Sequence, residues 1–578
     1  MAPHQAHLPN GLTLTVSPVF GGLYFRANEL TSHNTPFPPG WTVILHTEDN
    51  TEDDDPAWDP HHQPKDSKSS ITTPRDTPDL PTIHRARHRR LRFTKPTMHN
   101  DHLFISSISQ SSHNELRPAN SPTRQIAMML WATLWWYFHQ PEPDLLVTNK
   151  SSEHIADSGK PRGEWRINIK REGVFSSKTV LPKLERMGLI ASADSCVGAD
   201  LDERSMEGWT HMFVSRRAFW QLDARIYLFS LVSSSGSPFP SGTPHNSRPG
   251  SPNRQTGDRP HSGLAGNGNG GTLAHEMPLS PPVWPPQSSS QGPFHSTSHL
   301  PTYYPPPPPQ FVFTGGIRHP LRPKPPRQGE TFYTRFVPSV GQYLSFRVAS
   351  MSRRPQQYRG PVAGPAPFHL GSAVSPPRTS QSESAIPTMG KLLGDREPGA
   401  AMVGAELPVS ECCDTDLLHR WMNDPRVSDF WGEAGPPSQQ EEFLRKGLRS
   451  THSFPAIGCW DGRPFGYFEI YWAKEDQALG VHLSGEVGNY DRGIHCLVGE
   501  QEFRGPHRVP IWLSALVHYC WLADNRTEVV MMEPRVDNEK LVQYAEGVGF
   551  FKERQLSLEH KQSWLLKIRR DAWQAPAL

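Results

Sequence analysis

The run "DRGIHCLVGEQEFRGPHRV" at residues 491–509 holds one imidazole, His495, inside an apolar, strand-like stretch. An imidazole titrates near neutral pH and can take or give a proton there. A lone histidine in a strand is ordinarily structural, so the residues around it carry the argument. An Arg504-Gly505 turn follows, then His507, Arg508 and a Trp-rich apolar helix. A helix entered through a glycine turn presents unpaired backbone N–H groups and a positive dipole end, a site suited to a pyrophosphate. Arg504 and Arg508 flank the turn and add charge-assisted bonds. Further on, "MEPRVDNEK" (532–540) sets Glu533 and Arg535 on either side of Pro534, with Asp537 and Asn538 just beyond. A carboxylate beside a guanidinium could bind a charged ligand; surface salt bridging is the equal alternative. No metal site is expected, because His482, His495, His507, His518 and His560 lack ligand spacing.

Residues 405–578 must position these groups. The pattern predicts a helix over 413–424 and strands at 454–461 and 463–473, joined by Asp461-Gly462, a strong hairpin turn signal. A strand at 492–499, a helix at 508–523, a strand at 527–534 and a helix at 538–549 follow, and "FFKERQLSL" and "SWLLKIRR" end the chain as strands. This order implies a mixed sheet with helices on both faces, an α/β (α+β) arrangement.

The N-terminal half reads as a second folded region. Residues 1–50 alternate like strands, 51–97 look disordered, and order returns over 98–231 as an α+β domain. There the apolar run 126–138 belongs to a helix at 122–139, too short for the about 20 residues a membrane span needs. Within 98–231, Val180, Leu181, Leu184 and Met187 form one helical stripe that stops at Gly188. Residues 232–325 and 352–404 are Pro/Ser/Gly-rich and read as disordered insertions. The folded-looking segment 326–351 lies between them and is expected to pack on a flanking domain. The proline run at 305–309 is a candidate SH3 or WW contact; a surface insertion is the plainer reading.

The 578 residues are 35% hydrophobic and include 60 prolines and 45 glycines, which fits folded domains separated by disordered stretches. A net charge of +1 gives no global pull towards nucleic acid or membrane. Six scattered cysteines without a CxxC pair fit a reducing compartment. The N-terminus has neither a basic nor an apolar signal region and "APAL" is not a peroxisomal address, so a cytoplasmic location is expected.

Asn538 stands eleven residues before Gly549-Phe550, with a helix between. This resembles the GCN5-related N-acetyltransferases, whose strand–turn–helix cradles the pyrophosphate of coenzyme A. Here "RGPHRV" (504–509) takes the place of their turn signature, with His507 and Val509 replacing its two small residues. The blocks "HRWMNDPRVSDFW" (419–431), "DRGIHCLVGE", "FRGPHRV" and "MEPRVDNEK" resemble a narrower family, the siderophore N-acyltransferases that act on hydroxylysine, lysine or hydroxyornithine. "FYTRFVPSVGQYLSFR" and residues 100–231 resemble the fungal members, and residues 98–231 are a candidate degenerate acyltransferase-like half.

The resemblance implies a C-terminal acetyltransferase fold in which two parallel strands splay apart to admit a thioester. It implies a catalytic pair, His495 taking the proton from the attacking nitrogen and Asp537 orienting it. Leu497, Val498, Arg504, Gly505, His507, Arg508 and Asn538 would hold acyl-CoA. Trp421, Asn423, Arg426, Trp431, Glu533 and Arg535 would meet the acceptor. The implied reaction forms a hydroxamate from N5-hydroxyornithine and acyl-CoA, acetyl-CoA by preference. The rival reading is a DNA-binding regulator, with a winged helix in 164–231 and the basic run 84–92; neither basic–aromatic interleaving nor overall charge favours it.

Overall fold

The computed structural model describes residues 4–28, 37–49, 89–109, 122–177, 179–193, 211–228, 309–358, 360–361, 408–483 and 485–578. Residues 84–88, Cys196, the proline run 305–308 and most of the three stretches expected to be disordered lie outside the described residues.

Two large sheets share one strand order. The first runs His4–His7, Thr13–Val19, Gly22–Ala27, Gly40–Asp49, Asp101–Ile108, Arg166–Ile169, Met212–Ser215 and Ala191–Ser192, with Arg89–Arg92 paired onto Gly40–Asp49. The second runs Thr331–Val337, Gln342–Val348, Ser453–Trp460, Arg463–Trp472, Arg492–Val498, Val529–Met532, Gln562–Arg569 and Phe551–Ser557. In each, the fifth and sixth strands are the parallel pair and the other neighbours are antiparallel. In each, a helix bridges that parallel pair: Pro122–Phe138 in the first half and Val509–Ala523 in the second. Both helices are apolar almost all round and buried along most of their length, as core helices must be. A right-handed strand–helix–strand crossover is the usual way to connect parallel neighbours.

One continuous apolar core runs through both halves. Polar bonds fix the join: His518 Nε2 donates to the Trp220 carbonyl at 2.6 Å, so its Nδ1 accepts from the Tyr333 hydroxyl at 2.9 Å. Burial lowers the His518 pKa to about 3, so this ring stays neutral. Arg570 reaches Gln221 across the same seam at 3.2 Å.

The Asp461-Gly462 turn has φ of 45° and 83°, the left-handed pair that a two-residue hairpin of this hand requires. Cys413 caps the helix Asp414–Met422, and Asn538 caps Glu539–Val548, which ends on Gly549 at φ 109°. In the first half, Val180–Arg186 forms the expected helix and buries Val180, Leu181 and Leu184.

Three expectations need correction. Residues 89–97, expected within a disordered stretch, include the strand Arg89–Arg92, paired to Gly40–Asp49. Residues 331–348 pair with a flanking domain as expected: they are the first hairpin of the second sheet, beside Ser453–Trp460. Arg347 fixes them there through a bidentate bond to buried Asp414, at 2.6 and 2.7 Å. Residues 311–320, expected within a disordered insertion, form a hairpin whose His319 meets buried Glu475 at 2.8 Å; Arg322 just beyond it also bonds Glu475. The 164–231 segment is no free-standing winged helix, because Arg166–Ile169 and Met212–Ser215 are inner strands of the first sheet. Among the described residues, no helix is long and apolar enough to cross a membrane.

Candidate active site

The strand Arg492–Val498 pairs with Val529–Met532 only at Arg492–Val530 and Gly493–Met531. Beyond Gly493 the two strands separate, and His495 is on the freed segment. Glu533 is the first residue past Met532, so its side chain enters the same gap. On the other side, Glu469 faces His495 directly across the antiparallel ladder. Alternation along that partner strand places Tyr467, Glu469 and Tyr471 on one face. Gly493 is required here: a Cβ on it would lie 2.0 Å from the Tyr471 ring.

The result is a chain of five side chains, Tyr467–Glu469–His495–Glu533–Tyr471, with Lys561 on the Glu533 backbone. His495 Nδ1 is 2.9 Å from Glu469 Oε2, and His495 Nε2 is 2.5 Å from Glu533 Oε1. Tyr467 donates its hydroxyl to Glu469 Oε1 at 2.7 Å, and Tyr471 donates to Glu533 Oε2 at 2.9 Å. Lys561 donates to the Glu533 carbonyl at 2.9 Å. Burial disfavours the imidazolium, but the two carboxylates more than offset it and raise the His495 pKa to about 10. Burial likewise opposes ionisation of Glu533, yet the His495 charge and Lys561 hold it down to about 2. The unit is therefore an imidazolium shared between two carboxylates, with net charge −1.

This unit forms part of the wall of an open cleft of about 210 Å³ whose lining includes Trp431, Phe430, Cys496, Asn538 and Lys561. The Trp431 ring meets His495 edge to face, 6.5 Å between centroids. Burial, with Glu533 nearby, pushes the Cys496 thiol up to about 12, so it is no nucleophile.

The structure places the remaining candidates as follows. Asp537 is not bonded to His495; its exposed carboxylate pairs with Arg535, which lies over the Phe430 ring and donates to the Asp429 carbonyl at 2.5 Å. The chain turns away at Pro534, and this is why Glu533 and not Asp537 reaches the imidazole. Trp421 is buried against Gly499, where a Cβ would sit 2.1 Å from its ring, and its indole donates to Glu500 at 2.8 Å. Asn423 clamps a loop through both directions of bonding to Gly435 at 3.0 Å, and Arg426 pairs with Asp424 and Gln501. Of the six residues expected to meet the acceptor, Trp431, Glu533 and Arg535 line the cleft, and Trp421, Asn423 and Arg426 are not part of its lining. Leu497 is buried with Trp421, on the same strand face as His495.

At the turn, Arg504 folds back to bond the Val498 carbonyl at 3.0 Å. Gly505 has φ 99°, and its carbonyl accepts from both Arg508 and Val509. Among the described residues the N–H groups of Gly505 and His507 have no protein acceptor. The Arg508 guanidinium stacks 4.6 Å over Trp460, with Nε and Nη1 buried and unpartnered. These donors at a helix start have the character of an anion cradle.

Sequence reading missed Glu469, Tyr467, Tyr471 and Lys561. A signal for Glu469 exists: it is the only acid in the apolar run "FGYFEIYW".

The family model of the acetyltransferase (GNAT) domain matches residues 412–558. An N5-hydroxyornithine acetylase, sidL of Beauveria bassiana, is 45% identical over 97% of this chain and 100% of its own length. The chain belongs to the N5-hydroxyornithine acetylase family. A putative lysine N-acyltransferase of Schizosaccharomyces pombe is 32% identical over 43% of this chain and 56% of its own. The N(6)-hydroxylysine O-acetyltransferase of Escherichia coli is 43% identical over 28% of this chain and 50% of its own. The first sheet of this chain lacks the same chemistry. Counting from the parallel pair, Ile105 and its partner Val43 take the positions of His495 and Glu469, and both are fully buried.

Proposed function

We propose that the chain transfers an acetyl group from acetyl-CoA to the side-chain hydroxylamine of N5-hydroxyornithine, forming a hydroxamate for siderophore biosynthesis. The observation that carries the reading is His495 held between Glu469 and Glu533 in the wall of a cleft opened by two splaying strands. The family relation supports the acceptor, and the full-length match to a protein named as an acetylase supports acetyl over a larger acyl group.

A hydroxylamine nitrogen is largely neutral near pH 7, so the site needs positioning, a proton acceptor and oxyanion stabilisation. The nitrogen attacks the thioester carbon, and the carbonyl electrons move to oxygen. A backbone N–H of the freed strand segment receives that oxyanion. The nitrogen then carries a positive charge and is acidic; it gives its proton to the Glu533–His495–Glu469 unit. The carbonyl re-forms, the C–S bond breaks, and the imidazolium returns one proton to the thiolate. Because His495 starts protonated, the carboxylates are the first acceptors and the imidazole is the acid. Asp537, given the orienting role by resemblance, is replaced in it by Glu469 and Glu533.

The diphosphate of the donor is assigned to the Gly505 and His507 N–H groups and Arg508. The degenerate first half is assigned a scaffolding part, since Ile105 and Val43 fill its equivalent gap. Incubating the purified protein with N5-hydroxyornithine and a panel of acyl-CoAs, with products read by mass spectrometry, tests the proposal. The acetyl hydroxamate is the expected main product; exclusive use of a long branched acyl-CoA contradicts the acetyl assignment.

A further inference from the structure

The first sheet carries a second cluster of titratable groups, away from the cleft. His46 and Glu48 alternate on the strand Gly40–Asp49, so both point to one face. His102 faces His46 directly across the ladder, and the rings stack 5.5 Å apart at 17°. His46 Nε2 is 3.2 Å from Glu48 Oε1, and His102 Nε2 is 3.5 Å from Glu48 Oε2. One ligand atom from each of the three residues lies within 4.8 Å of the others. A tetrahedral zinc ion with bonds of about 2.0–2.1 Å holds its ligand atoms roughly 3.4 Å apart, so small side-chain shifts suffice.

The hydrogen bonds point the same way. His102 Nδ1 donates to the Asn100 carbonyl at 2.9 Å, so in the neutral ring Nε2 carries the lone pair. That lone pair faces a carboxylate oxygen. His102 Nε2 and the Glu48 carboxylate thus face one point at which both can bind a cation. The same Asn100 carbonyl accepts the Glu48 N–H at 2.9 Å, so one backbone group orients both ligands. Outer support of this kind is usual for a metal-binding histidine. The Lys170 ammonium now lies 3.0 Å from Glu48 Oε1, and its side chain is 29% exposed, which leaves it a path outwards.

We propose that His46, Glu48 and His102 bind one divalent transition metal, zinc(II) by donor set, with Lys170 displaced and water as the fourth ligand. Two imidazoles and one carboxylate are a donor set that zinc takes up readily. The ion ties strand Gly40–Asp49 to Asp101–Ile108 and stabilises the first sheet. It takes no part in acyl transfer, because the cluster is on the other sheet from His495.

The test uses the full-length protein, stripped with a chelator and titrated with cobalt(II), then zinc(II). One equivalent of cobalt(II) should give the intense visible bands of a tetrahedral site, and zinc(II) should quench them and raise the Tm. His102→Ala should weaken binding by more than the roughly 10–100-fold that loss of an outer-shell partner costs, while acyl transfer persists. Lys170→Met, which removes the competing ammonium, should bind cobalt(II) more tightly than the natural chain. If neither the natural chain nor Lys170→Met binds cobalt(II), or if His102→Ala binds it unchanged, the three residues form an ion-pair cluster only and the metal site is overturned.

Discussion

His495 Nε2 sits 2.5 Å from Glu533 Oε1, while Asp537, four residues further along, turns away to pair with Arg535. The two acids flank one proline turn, and only the one before the turn enters the gap between the splayed strands. Glu533→Gln is therefore expected to lower turnover by about 10²-fold or more, the lower end of general acid–base effects, and Asp537→Asn to leave it nearly unchanged. Steady-state kinetics of the two variants decide; the reverse order restores the Asp537 pairing.

His495→Ala removes the acid of the unit. Turnover should fall by about 10²–10⁴, with coenzyme A binding by calorimetry nearly unchanged. A folded His495→Ala protein with full activity sinks the assignment.

The charge state of His495 is itself measurable. Its folded pKa, about 10, is raised above 6.5, so its contribution to stability is full below 6.5 and is lost as pH rises through about 10. The Glu533 pKa, about 2, is depressed below 4.5, so its contribution is present above 4.5 and is lost as pH falls through about 2. The unit thus stabilises most between 4.5 and 6.5 and remains largely intact at pH 8. An NMR titration of the ring should show imidazolium at pH 8; a midpoint near 6.5 contradicts the carboxylate sandwich.

Much of this site was legible in the sequence, and the misses share a cause. His495, the glycine turn and the Asp461-Gly462 hairpin are local features, and each is where its local chemistry requires. Glu469 stands out as the lone acid of an apolar run, but its place opposite His495 follows from cross-strand register, which no local pattern encodes. Likewise, residues 331–348 read as folded, but their place beside Ser453–Trp460 depends on a partner about a hundred residues away. Asp537 and Glu533 were equally good acids by residue type; only the splay and the turn at Pro534 separate them.

That long-range join predicts a stability effect. Breaking a buried, bidentate pair by removing one partner costs about 3–5 kcal/mol. Asp414→Ala leaves the Arg347 guanidinium unpaired in the interior and should lower the denaturation midpoint accordingly. An unchanged midpoint means the hairpin is not held this way.

At the turn, Arg508→Ala should raise the KM for acetyl-CoA by about tenfold or more, the worth of a charge-assisted bond, and leave the acceptor KM unchanged. An effect on the acceptor alone would move the phosphate site elsewhere.

The most direct test of the central claim compares two acceptors that differ by one oxygen. The side-chain amine of ornithine, with a pKa near that of lysine at about 10.4, is almost wholly protonated at pH 7. A negatively charged Glu–His–Glu unit holds such an ammonium without freeing its nitrogen to attack. The N-hydroxyl lowers that basicity and offers a further donor and acceptor. With acetyl-CoA saturating, kcat/KM for N5-hydroxyornithine should exceed that for ornithine by at least about 100-fold. Comparable values for the two, or no hydroxamate from N5-hydroxyornithine, contradict the account.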